Sequence, residues 1–157
     1  MRWAVLSAYA MLAIAACDTA EPMLIQDRHI VGDAIPVPLT QIAGDPQRGL
    51  AVFLDRDGAH CLLCHAVEGL DAPFQGNLAP SLTGVGRRLT EGQIRLQVAD
   101  ARRVVPDTIM PSYYRIDGLN QVMAGHRGSP VLSAQQVEDL TAYLVTLRAP
   151  TMDDKQD

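Results

Sequence analysis

Apolar residues recur at helical spacing in three stretches of this chain, and there is almost no strand signal. In the first stretch Leu50, Phe53 and Leu54 share one helical face. Asp45 is a good N-cap for it, and Pro46 suits the first helical position, whose N–H would go unpaired anyway. Residues 55–58 end this helix. The second stretch opens on Thr90 and Gln93, spaced as a capping box, with Leu89 and Ile94 as a hydrophobic staple. It runs to Arg103, just before Val104-Val105-Pro106. The third repeats the signature: Ser133 and Gln136 form the box, and Leu132 and Val137 the staple. Val137, Leu140, Thr141, Leu144 and Leu147 continue its apolar face until Pro150 stops it.

Between these helices the chain lacks periodicity. Residues 76–86 are rich in Gly, Pro, Asn and Ser and read as loop. In Ile35-Pro36-Val37-Pro38-Leu39 each proline fixes φ and pushes its predecessor away from the α region, so the segment is extended. It is expected to wrap over a surface rather than build a core. Loops of this length in a compact domain need something to order them, and a buried apolar group would serve. The sequence divides into a leader (1–17), an irregular lead-in (18–43), one domain (44–150) and a polar tail (151–157).

The leader has one charge, Arg2, followed by 14 uncharged residues from Trp3 to Ala16. That is short of the ~20 residues of a membrane span and fits the apolar region of an export signal. The expected location is the periplasm, an oxidising compartment. Ile14-Ala15-Ala16-Cys17 resembles a lipoprotein box, with Cys17 as the lipidated residue; the alternative is an ordinary cleaved signal that contains a cysteine. Two or more acyl chains on Cys17 would anchor the chain stably, and Asp18 resembles an inner-membrane retention signal. The net charge is −5; Arg2 is the leader's only charge, so the rest of the chain carries −6. This argues against nucleic acid or an anionic lipid surface as partner, since both need basic patches.

Cys61-Leu62-Leu63-Cys64-His65 carries the chemistry. It is the C-x-x-C-H pattern of covalent haem attachment. Two thiols three positions apart on a helical turn can each add to one vinyl group of the same haem edge, and the following His lies close under the iron. A thioredoxin-like pair would want a βαβ context, and a zinc site a second ligand pair. The only other cysteine is Cys17, so neither is supported. One haem c is expected, with His65 as an axial metal ligand. The candidates for the sixth position are Met110, Met123, His126, His60 and His29; Met23 and Met152 lie near the ends. Pro111 would stiffen a loop presenting the Met110 sulfur, and a Met opposite a His raises the reduction potential. No further catalytic constellation is present.

The ordered landmarks Gly44-Asp45, Gly49, Phe53, Cys61–His65, Pro80-Ser81-Leu82-Thr83-Gly84 and Leu140-Thr141-Ala142-Tyr143-Leu144 resemble those of class I cytochromes c. The resemblance implies an all-α fold of three to four helices wrapped with long loops around one covalent haem. It also implies that the first and last helices cross where Gly49 meets Tyr143. Pro80 would accept from the His65 Nδ1–H, Leu82 would touch the haem, and Arg88, with Arg87 as a weaker candidate, would reach a propionate. General class I spacing favours Met123 as sixth ligand.

From Ile35 to Leu147 the chain more narrowly resembles the SoxX family, most specifically in Met110-Pro111-Ser112-Tyr113-Tyr114-Arg115 and Leu132-Ser133-Ala134-Gln135-Gln136-Val137-Glu138-Asp139. Ser129 in Gly128-Ser129-Pro130 departs from the family's usual Lys. This resemblance favours Met110 as ligand. It implies an electron-transfer subunit of a cysteine S-thiosulfotransferase complex, partnered by a SoxA-like cytochrome. That complex joins thiosulfate to a carrier-protein cysteine and passes electrons to a downstream acceptor cytochrome. A free-standing carrier cytochrome is the alternative. A haem-based ligand sensor is a third reading, disfavoured by the Met-Pro pair.

Overall fold

The computed structural model describes residues 24–120 and 122–148; the leader with Cys17 and the tail 151–157 lie outside the described residues. Five α-helical elements follow in chain order: α1 (Pro46–Leu54), α2 (Cys61–Cys64), α3 (Val85–Arg88), α4 (Glu91–Asp100) and α5 (Ala134–Thr146). Three are full helices, and α2 and α3 are single turns. Among the described residues the β-structure is one isolated bridge, Val31 to Ala34, so the all-α expectation holds. No helix among them is long and apolar enough to cross a membrane.

The predicted caps form. The Asp45 carboxylate accepts from the N–H groups of Gln47 and Arg48, both at 2.8 Å. Thr90–Gln93 and Ser133–Gln136 each close a reciprocal capping box. α4 ends at Asp100 and continues as a 3₁₀ turn over Ala101–Arg103, which reaches the predicted boundary. α3 lies partly in the stretch read as loop. Gly84 opens it at φ 69°, a conformation that suits a residue without a side chain.

α5 is the spine, and α1 crosses it. A Cβ on Gly49 would stand 1.9 Å from the Asp139 carbonyl oxygen and 2.7 Å from Cβ of Tyr143, so only glycine permits the crossing. Beside it the Phe53 and Tyr143 rings pack with centroids 5.4 Å apart. Gly86 makes the same close approach to the Val145 carbonyl. The crossing predicted at Gly49 and Tyr143 is therefore present.

One feature departs from the sequence reading. The lead-in is not a surface wrap, because Ile35 and Leu39 are buried in the core. Burying an Ile or Leu side chain stabilises by about 1.5–3 kcal/mol each. The prolines keep the backbone extended, and its polar groups are captured: Ile35 N–H donates to Gly92 O at 2.9 Å, and Leu39 N–H donates to Glu138 Oε1 at 2.9 Å.

α4 and α5 also bury charge, on which the sequence reading was silent. Arg95 is 1% exposed and Glu138 3%. They meet through Nε–Oε1 at 2.8 Å and Nη2–Oε2 at 2.9 Å. Asp139 is also buried and accepts from Arg48, Gln135 and the Asp45 N–H.

Candidate functional site

α2 is a single turn that places Cys61 and Cys64, three residues apart, on one side of the helix. His60 precedes it in the left-handed region at φ 56°. His65 ends the turn, and its N–H donates to Cys61 O at 2.9 Å. Neither cysteine is in a disulfide. Burial, the largest influence, and the nearby Asp55 and Cys64 push the Cys61 thiol up to about 12, against a smaller opposing effect of its own backbone N–H. A redox-exchange cysteine needs the opposite, a depressed thiol pKa.

A loop is zipped onto this turn. Gly76 N–H donates to Leu62 O at 2.8 Å, Ala79 N–H to Cys64 O at 3.0 Å and Leu82 N–H to Ala66 O at 2.9 Å. Gln75 braces it from within, accepting from Val67 N–H at 2.7 Å and donating to Leu70 O at 3.1 Å. The result places Pro80 O 2.7 Å from His65 Nδ1. A carbonyl can only accept, so Nδ1 is the donor, and in the neutral ring this leaves Nε2 as the nitrogen with a lone pair for a metal. Leu82 is half-buried against the core. Arg88 donates to Thr83 O at 2.5 Å and to Ser81 O at 3.1 Å, so it ties this same loop to itself.

A second loop carries Met110. Tyr113 donates its buried hydroxyl to Ala59 O at 2.6 Å, two residues before Cys61. Burial, and then the neighbouring Cys61 and Cys64, raise the Tyr113 pKa, so the hydroxyl stays protonated as a donor. Tyr114 N–H donates to Ala99 O, and Leu132 N–H to Tyr113 O, both at 3.0 Å. Met110 is half-buried against the core, whereas Met123 is 69% exposed. His126 lies in a 3₁₀ turn over Ala124–His126. His29 Nδ1 accepts from Gln26 N–H at 3.1 Å. His60 Nδ1 is buried without a hydrogen-bond partner.

The donor set fits a covalent haem. There are two unbridged thiols on one turn, an imidazole held through Nδ1, and a half-buried thioether on a loop tied to the backbone just before Cys61. No group of three or more His, Cys, Asp or Glu among the described residues is placed to hold a metal ion by itself. A haem bound here supplies a one-electron iron couple. Gln75, Tyr113 and the buried Asp100 under the Met110 loop were not assigned roles from the sequence. Tyr113 meets Ala59 across 54 residues and Asp100 meets Ser112 and Arg115 across 12 and 15, while Gln75 reaches partners 5 and 8 residues away through an irregular loop, so no periodic spacing exposes them.

A cytochrome c family model matches residues 46–148. The chain belongs to the cytochrome c family. It carries its one C-x-x-C-H motif at Cys61–His65 and is a haem electron-transfer protein of SoxX type. Among solved structures it is similar to a chain of the crystal structure of SoxXA from P. pantotrophus. The two are 37% identical, the match covers 76% of this chain and 93% of that one, and the TM-score is 0.71. No curated protein sequence matches significantly.

Proposed function

We propose that this cytochrome is the monohaem electron-transfer subunit of a complex that oxidatively joins thiosulfate to a cysteine of a carrier protein. It works beside a SoxA-like cytochrome, accepts the electrons on its own haem and hands them to a downstream acceptor cytochrome. In this reading Cys61 and Cys64 hold the haem, and His65 and Met110 ligate the iron. The observation that carries it is that the His65 imidazole is fixed by Pro80 O while the half-buried Met110 sits on a loop tied through Tyr113 to Ala59, just before Cys61. His65 and Met110 would together hold the iron of a bound haem and leave no open position for substrate. Likeness to a chain of SoxXA over nearly that chain's whole length supports the choice of complex.

The purified holoprotein should cycle between oxidation states yet show no thiosulfate-dependent transfer to a carrier cysteine. Adding a SoxA-like partner should establish that transfer and reduce this haem. Activity of the chain alone, or no stimulation by any such partner, would leave the free-carrier reading in its place.

The same proposal puts the protein in the periplasm, held at the inner membrane by lipid on Cys17. Cys17→Ser should release it from the membrane fraction with haem content unchanged. A wild-type protein found wholly in the soluble fraction would refute the anchor.

A further inference from the structure

The Met110 loop has a second anchor, Asp100, with no role so far. Asp100 is the last residue of α4 and is 2% exposed. Neither fact favours an aspartate. The helix C-terminus carries the negative end of the macrodipole, which disfavours an acid, and an unpaired buried carboxylate is costly. Its partners explain the choice. Oδ1 accepts from the Ser112 hydroxyl at 2.6 Å. Oδ2 accepts from Arg115 Nη1 at 3.1 Å and faces Arg103 Nε at 3.4 Å. Ser112 and Arg115 lie two and five residues beyond Met110. The bond from Tyr114 N–H to Ala99 O pins the same stretch to the same end of α4.

We propose that Asp100 is a positioning residue for the Met110 sulfur: through Ser112 and Arg115 it holds the loop so that the thioether stays where iron can take it. This rests on Met110 being the sixth ligand. A thioether is a soft donor and a weak partner for ferric iron. A modest loosening of the loop therefore lets an added ligand displace it, even where the fold survives.

The test uses the ferric holoprotein with imidazole as probe. Its readouts are the near-infrared band of thioether-to-iron charge transfer, the imidazole dissociation constant and the denaturation midpoint. Ser112→Ala should weaken the band and tighten imidazole binding about tenfold, the factor for one lost hydrogen bond to a charged group. Ser112→Thr, which keeps the hydroxyl, should restore both. Asp100→Asn should act in the same direction as Ser112→Ala. If Asp100→Asn yields no holoprotein, the Ser112 pair decides, because Arg115 and Arg103 still partner the carboxylate there.

Wild-type band and imidazole affinity in Ser112→Ala, whatever its stability, would overturn the positioning role. Met110→Ala separates the two ideas. Loss of the band in Met110→Ala beside unchanged imidazole binding in Ser112→Ala sinks the positioning role alone. Retention of the band in Met110→Ala sinks the ligand assignment and the positioning role together.

Discussion

Arg95 and Glu138 form a two-bond ion pair with both side chains buried, Nε to Oε1 at 2.8 Å and Nη2 to Oε2 at 2.9 Å. The pair sits between α4 and α5 and also holds the lead-in. Glu138 accepts from Leu39 N–H, and Arg95 donates to Ile35 O at 2.8 Å. One salt bridge thus joins three segments that are distant in sequence. Removing one partner of a buried pair typically costs about 3–5 kcal/mol, because the other charge is left uncompensated.

Glu138→Gln should therefore destabilise the holoprotein by about 3 kcal/mol, the low end of that range, since Glu91 still pairs with Arg95. Replacing both residues with Met and Leu should cost much less. Denaturant titration of the three proteins checks this. A double variant as unstable as Glu138→Gln would mean that the polar contacts to Ile35 and Leu39, rather than the uncompensated charge, carry the effect.

Gly49→Ala should abolish or severely reduce the yield of folded holoprotein, because the new methyl would lie 1.9 Å from the Asp139 carbonyl oxygen. Gly125→Ala is the control. It has open space around it and no positive φ, so the change should be nearly neutral. Expression yield and thermal melting of the two report the difference. A Gly49→Ala protein that melts like wild type would mean that α1 does not cross α5 at this point.

Asp139 makes stability depend on acid pH. Burial alone would raise its pKa, but hydrogen bonds from Arg48, Gln135 and the Asp45 N–H, with the Arg48 charge, outweigh that and hold it below the ordinary carboxylate value. The folded state therefore resists protonation that the unfolded state accepts at about pH 4. The contribution is complete above that pH and is lost as pH falls from there through the folded pKa. Asp139→Asn should flatten the stability profile in that acid range. A variant with the wild-type slope there would show that other carboxylates set it.

Met110→Ala should remove the near-infrared thioether band and lower the reduction potential, since Met ligation raises it. Met123→Ala should leave both unchanged, because Met123 is mostly exposed. Potentiometry and absorption spectra of the two variants suffice. The reverse result would move the ligand to the 123–126 loop.

What depends on near neighbours could be read along the chain. Asp45-Pro46, Thr90–Gln93 and Ser133–Gln136 mark helix starts because a cap is satisfied within three residues. Cys61-Leu62-Leu63-Cys64-His65 names its cofactor because attachment takes one helical turn. Gly49 against Tyr143 was legible only through family resemblance, since nothing in the local chain says which backbone will approach.

What depends on distant partners came only with the fold. Glu138 and Asp139 follow Val137 and would pass for a solvated helix edge. They are buried because Arg95 and Arg48 arrive from other elements to neutralise them. Ile35 and Leu39 looked like a surface strap, and they enter the core because Gly92 and Glu138 capture the backbone beside them. Asp100 looks misplaced at the end of its helix until Ser112 and Arg115 fold back onto it. A carboxylate's environment is set by what the fold brings within hydrogen-bond reach, and spacing along the chain carries no record of that.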